Sequence, residues 1–218
     1  VDNHEEFIQL DERKLLDRWR VQASALYRPN FFIRYELSLT YQRYKVDPEI
    51  VENYNPLYFR NGQTFHSTII TRAAFQFDDR DLKIYPSKGI VTKWELEKTG
   101  FGAKNDENSL TTSINLEWNN SFGRRFQQRI SGSGHYSLSR NKPSYLYYKG
   151  LGYDQNYVRG YELYVVDGLD FVIGKYQIAF KFLEKKVNWG KAVPLPQFRE
   201  MPLNMYFSLA IEAGRAYD

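Results

Sequence analysis

The chain has 218 residues, with 30 Lys+Arg against 26 Asp+Glu, a net charge of +4 and no cysteine. The charges are spread without basic blocks, which leaves nucleic-acid binding without support, and the missing cysteines exclude a disulfide framework and a thiolate metal site. No run approaches the roughly 18 apolar residues that a spanning helix needs, which excludes a helical membrane protein but not a β-barrel, whose strands alternate and so hide from hydropathy averages.

From Arg18 the alternation is plain. Trp19, Val21, Ala23, Ala25 and Tyr27 share one face, and Arg18, Arg20, Gln22, Ser24 and Arg28 the other. Pro29-Asn30 makes a turn, because Pro fixes φ and Asn tolerates left-handed geometry. The next strand sets Phe31, Ile33, Tyr35, Leu37, Leu39 and Tyr41 against Arg34, Glu36, Ser38, Thr40 and Gln42. Such a run of strict period two is about twice the length of an ordinary globular strand and matches a tilted membrane strand. A polar-aromatic loop is expected from Asp47 to Gly62.

A third strand, Thr64 to Asp78, places Phe65, Ile69, Ala73, Phe75 and Phe77 opposite His66, Thr68, Arg72, Gln76 and Asp78, with Ile70 as an exception. After a turn through Asp79-Arg80-Asp81 and Pro86-Ser87-Lys88-Gly89, Thr92, Trp94 and Leu96 oppose Lys93, Glu95 and Glu97. Beyond a loop near Gly100 to Asn108, Leu110, Thr112, Ile114, Leu116 and Trp118 oppose Thr111, Ser113, Asn115 and Glu117. A turn at Asn119 to Gly123 leads into Arg125 to Leu138, whose polar face carries Gln127, Arg129, Ser131, Ser133 and His135.

From Ser139 to Leu169 the chain loses sustained alternation. Eight tyrosines between Tyr136 and Tyr164 argue against disorder, and a long ordered loop is usually functional. Tyr176, Ile178, Phe180 and Phe182 then alternate with Lys175, Gln177 and Lys181. Glu184 to Pro202, with Pro194 and Pro196, reads as a connection. The last strand sets Leu203, Met205, Phe207, Leu209 and Ile211 against Asn204, Tyr206, Ser208 and Glu212. The expectation is an all-β, antiparallel meander of about eight strands in one domain, with short connections alternating with longer ones. Arg, Glu and Gln at mid-strand on the polar face suit a wet lumen better than a soluble sandwich. The chain begins at Val1 and ends at Asp218 just past a strand, so an internal fragment is expected.

Catalytic signatures are lacking. His4, His66 and His135 are too scattered for a zinc pattern and no H-E-x-x-H occurs. Gly132-Ser133-Gly134-His135 lacks the G-x-S-x-G elbow, and its glycines are expected to mark a bulge or bend. Gly150-Leu151-Gly152 has Gln155 where a dinucleotide loop needs its third glycine. No enzyme, metal or cofactor is expected.

Three motifs carry a resemblance. They are Asp79-Arg80-Asp81 with Pro86-Ser87-Lys88-Gly89, then Val158-Arg159-Gly160-Tyr161, then Ala210-Ile211-Glu212-Ala213-Gly214. With the strand pattern, they make the chain resemble the C-terminal barrel of the BamA/TamA family (bacterial surface antigen family) of outer-membrane protein assembly and translocation factors. In that family the motifs look like a D-x-R-D…P-x-x-G turn, the V-R-G-[FY] tip of the sixth extracellular loop, and an [FG]-x-D-x-G strand. Here Ala210 stands at the bulky or Gly position and Glu212 replaces the Asp. The resemblance implies a stretch from roughly the sixth to the thirteenth of about sixteen transmembrane strands. Periplasmic POTRA repeats and the first and last barrel strands would lie outside it.

It further implies a loop folded back into the lumen, with Arg159 held by Glu212 in a charge-assisted bond. Gly160 is expected to allow close approach to the wall. The Asp79-Arg80-Asp81 cluster reads as a turn that caps backbone. The implied function is insertion or translocation of outer-membrane proteins, in the outer membrane, without cofactor or nucleotide. Outer-membrane lipids and lipopolysaccharide, client outer-membrane proteins and accessory periplasmic or lipoprotein subunits are the implied partners. Two alternatives stay open: an export pore of the two-partner-secretion type, and the barrel of a patatin-like lipase fusion.

Overall fold

The computed structural model describes residues 16–59, 62–101, 107–140, 143–147, 150–153, 156–188, 190 and 200–218. Eight strands follow one another: β1 (Leu16–Tyr27), β2 (Ile33–Val46), β3 (Phe65–Asp78), β4 (Gly89–Thr99), β5 (Ser109–Phe122), β6 (Phe126–Ser137), β7 (Asp170–Asn188) and β8 (Glu200–Tyr217). They form one antiparallel sheet in sequence order, each strand paired with the next. Pairing ends at β1 on one side and β8 on the other, so the sheet is open.

The two faces are buried in the reverse of the usual sense. Along β2, Tyr35, Leu37, Leu39 and Tyr41 are exposed, whereas Ser38, Thr40 and Gln42 are buried at 4%, 3% and 4% exposure. The register carries this parity across the sheet. On the polar side, Ser38 faces Arg72, Arg72 faces Glu97, and Glu97 faces Thr111. On the apolar side, Tyr35, Phe75, Trp94 and Ile114 stand in one row. Ile70 sits on the polar side opposite Thr40. A soluble sheet hides its apolar face from water; this one hides its polar face.

Rings and ion pairs fasten each face. Tyr27, Tyr35 and Phe75 lie at successive centroid distances of 6.4 and 5.4 Å, and Phe122, Phe126 and Phe180 at 5.3 and 5.0 Å. Such pairs add to the area they cover. On the polar face Arg72 grips Glu97 through Nε and Nη2 at 3.1 and 2.8 Å. Lys93 reaches Glu95 at 2.9 Å.

The strands are steeply staggered. The row Tyr35–Phe75–Trp94–Ile114–Gly134–Val172–Arg215 starts near the first residue of β2 and ends near the last residue of β8. Because β2 and β8 run the same way, this row climbs from one edge of the sheet to the other.

The end of the sheet that receives the long connections is capped by side chains. Residues 47–59 fold over the end of β2, where Tyr44, Val46, Val51 and Phe59 form an apolar cluster joined by Ile50, Tyr58 and Leu146. At the opposite end β1–β2 and β5–β6 are joined by short turns. Asn30 Oδ1 accepts the amides of Phe32 and Ile33 at 3.0 and 2.8 Å. Phe31, expected on the strand, therefore sits in the turn.

Three further expectations are corrected. The stretch Glu184 to Pro202 is not all connection, since β7 runs to Asn188 and β8 starts at Glu200; Pro194 and Pro196 lie outside the described residues. A bulge between Lys181 and Leu183 inserts Phe182 and flips the parity beyond it, which erased the period. Gly132 and Gly134 mark no bulge: they pair in regular register with Gly174 and Val172.

Candidate functional site

The described residues of the long segment between β6 and β7 cross the polar face and are fastened at both ends. At its start, the Tyr147 hydroxyl lies 3.1 Å from His66 Nε2 and accepts a bond from Gln42 Nε2 at 3.2 Å. His66 is buried and stacks at 5.5 Å on Phe59. Leu151 and Val166 then pair as an antiparallel bridge, with reciprocal bonds of 2.9 Å. A Cβ on Gly150 would come within 1.9 Å of Val166 O, so glycine is required there. The Tyr153 hydroxyl donates to Asp167; burial first, and then this bond, raise its pKa.

The Val158-Arg159-Gly160-Tyr161 tip is a turn. Tyr161 N donates to Val158 O at 3.0 Å, and Gly160 takes φ +86°. Positive φ at the third residue is the demand of a type II turn. Here one expectation is corrected: a Cβ on Gly160 would meet nothing within 4 Å. Backbone angle, not close approach, calls for glycine. The close approach belongs to Gly214, where an added Cβ would lie 3.1 Å from Val158 Cγ2 and 3.4 Å from Ile173 and Leu151.

Arg159, at the apex, meets Glu212 on β8 twice. Its Nε lies 2.9 Å from Oε1, and its backbone amide donates to Oε2 at 3.0 Å. The Glu212 side chain is only 5% exposed, against 59% for Arg159. A third group completes the site. Lys175, paired in register with Glu212 on β7, lies 3.4 Å from Oε2 and donates to Tyr157 O at 2.8 Å. It also sits 5.3 Å from the Tyr157 ring centroid. One buried carboxylate thus holds two cations and a backbone amide, which satisfies its charge.

Beside this clasp, Glu162 accepts the Gly160 amide at 3.0 Å. Its carboxyl is held below the usual range by its own amide first, then by that of Gly160, with Arg159 and Lys175 adding to the effect. Tyr161 points away and is exposed. Behind the loop lies a cavity of about 320 Å³ with a mixed lining that includes Lys93, Asn115, Glu117, Asn156, Ile173 and Lys175.

The structure brings Val158, Arg159, Glu212 and Gly214 together and leaves the turn motif apart, between β3 and β4. Asp81 accepts the amides of Leu82, Ser87 and Lys88 at 2.9, 2.9 and 3.2 Å, and the Ser87 hydroxyl as well. Its carboxyl is held low by the Ser87 hydroxyl first and then by those amides. Asp79 accepts the Ile90 amide. Arg80 turns onto the polar face and grips Asp78 through Nε and Nη2, both at 2.8 Å, while Nη1 lies 3.4 Å from Glu117. Gly89, at φ +109°, has the Arg80 Cα 2.6 Å from where a Cβ would stand. Pro86 is buried beneath the turn.

Sequence reasoning missed Lys175, Tyr157, Tyr147 and His66. Lys175 read as one more polar residue in an alternating strand; only its register opposite Glu212 marks it. Among the described residues, no group of three or more His, Asp or Glu is placed to hold a metal ion. No family model matches the chain, and no curated protein matches its sequence.

Proposed function

We propose that this chain is wall and loop latch of an outer-membrane β-barrel that inserts or translocates outer-membrane proteins, as the resemblance to the BamA/TamA family implies. The observation that carries the reading is the inverted sheet with a loop clasped to its polar face. An apolar face left open over eight staggered strands suits lipid, and a hidden polar face suits a wet interior. Arg159, Glu212 and Lys175 would hold the loop inside that interior, so that it moves with the wall.

The proposed mechanism uses no cofactor and makes no covalent bond. Elsewhere in the full barrel, the first and last strands part, and an incoming client strand pairs with the exposed edge. A bare strand edge is a template for such pairing. In lipid its unpaired backbone groups cost several kcal/mol each, which drives the client to complete its own sheet.

Depletion of the full-length protein in its native cells tests the reading. Folded barrel proteins should fall in the outer membrane and accumulate unfolded in the periplasm. Normal barrel levels, with loss only of one exported soluble protein or of a lipase activity, would replace this reading by an export pore or an enzyme fusion.

A further inference from the structure

On the apolar face, up to the bulge in β7, charge gathers at one border. The described outward positions of the strands, up to the bulge in β7, include four cations: Arg43 and Lys45 on β2, Lys98 on β4 and Arg215 on β8. Each stands within three residues of its strand's end at the long-connection side. Two carboxylates share this border: Asp17, opposite Lys45 at the β1 edge, and Asp170, opposite Tyr217 at the start of β7 and only 2% exposed. Beyond the bulge a single cation, Lys185, faces outward at the far end.

We propose that these four side chains form a belt that binds the phosphates of phosphorylated lipid headgroups. This rests on the reading of the apolar face as lipid-facing. Arg43, Lys45 and Arg215 are exposed. The Arg43 guanidinium lies 4.8 Å from the Phe65 ring centroid and that of Arg215 6.0 Å from the Tyr217 ring centroid, an aromatic-cation pairing suited to a headgroup border. Arg140, stacked on Tyr136, does not join the belt because its charge is paired with Asp170 at 2.6 Å.

The occupant is a lipid because of how the charges are distributed. They sit on three strands across the width of the sheet, too far apart for one compact anion. They border a continuous open surface that includes Leu39, Tyr41, Ile69, Tyr136 and Val172. A ligand with an apolar tail and an anionic head, repeated along the border, matches both parts. The stagger agrees: the cations descend from β2 to β8 along with the strand ends, so they stay at one border while crossing register rows.

The test uses the full-length protein reconstituted in phosphatidylcholine vesicles, with flotation reporting insertion. Boundary enrichment is measured for a fluorescent bisphosphorylated lipid A, for its dephosphorylated analogue, and against competing inorganic phosphate. Arg43→Gln, Lys45→Gln, Lys98→Gln and Arg215→Gln together should lower enrichment at least about tenfold, since each headgroup-level cation adds to anionic-lipid attraction. Arg28→Gln, Lys83→Gln, Lys88→Gln and Arg124→Gln together, at the opposite end, should leave it unchanged, as should Arg43→Lys with Arg215→Lys. Free phosphate should not compete. Equal enrichment in the belt variant, or equal enrichment of the dephosphorylated lipid, would overturn the belt while leaving the membrane reading intact. Failure of the wild type to float with the vesicles would overturn both.

Discussion

Glu212 holds Arg159 by side chain and backbone together, at 2.9 and 3.0 Å, and is itself the buried partner. The two residues are therefore not equivalent. Arg159→Ala keeps the amide bond and leaves Lys175 beside the carboxylate, so its cost to loop anchoring should stay below about 1 kcal/mol, as for exposed ion pairs. Arg159→Ala with Lys175→Met strips both cations from a carboxylate that is 5% exposed, and should approach about 3 kcal/mol. Hydrogen exchange of the amides from 156 to 164 in the full-length protein would reveal the ordering; equal protection in the two variants would contradict it. Charge reversal obeys the same geometry. Arg159→Glu with Glu212→Arg sets the new Arg against Lys175, so function should return only in part until Lys175→Glu is added.

Gly214 and Gly160 should fail for different reasons. In Gly214→Val the side chain collides with Val158, Ile173 and Leu151, and Val158→Ala should partly relieve it. Gly160→Ala meets no neighbour but must hold φ +86°, a cost of about 1–2 kcal/mol that no neighbouring truncation can relieve. Limited proteolysis of the loop across these variants separates the two; rescue of Gly160→Ala by Val158→Ala would contradict the assignment.

The β3–β4 turn should open in acid. The Asp81 carboxyl is held below its ordinary value of 3.8 by Ser87 first and by three amides. A depressed folded pKa means that the contribution is complete above the unfolded value and is lost as pH falls through the folded one. The Ser87 and Lys88 amides should keep their exchange protection at pH 5 and lose it below about 3.8. Asp81→Ala should remove the protection at every pH; a profile equal to the wild type would sink the capping role.

Strand parity could be read directly because period two is local. Apart from Phe31, which falls in a turn, and Phe182, which the bulge inserts, the face assignments within the strands match the register, and the turn role of Asp81 followed from a short-range pattern of Asp and Pro. What escaped was long-range or parity-breaking. β7 begins at Asp170, yet Phe171 and Ile173 are apolar on the polar face and buried, so the alternation became visible only at Lys175. Tyr147 finds His66 and Gln42 across 81 and 105 residues, and no local signal encodes such a meeting. Gly214 looked like a motif letter; only the packing of the loop on β8 gives it the task of admitting Val158.

The central claim is that the apolar face of this sheet meets lipid and its polar face meets water. Spin labels at Leu37, Leu39, Ser38 and Thr40, one at a time in the full-length protein in bilayers, test it most directly. Labels at Leu37 and Leu39 should be relaxed by oxygen and shielded from a water-soluble nickel chelate, and those at Ser38 and Thr40 should show the reverse. Equal accessibility at the two parities, or chelate access greatest at Leu37 and Leu39, would contradict the claim.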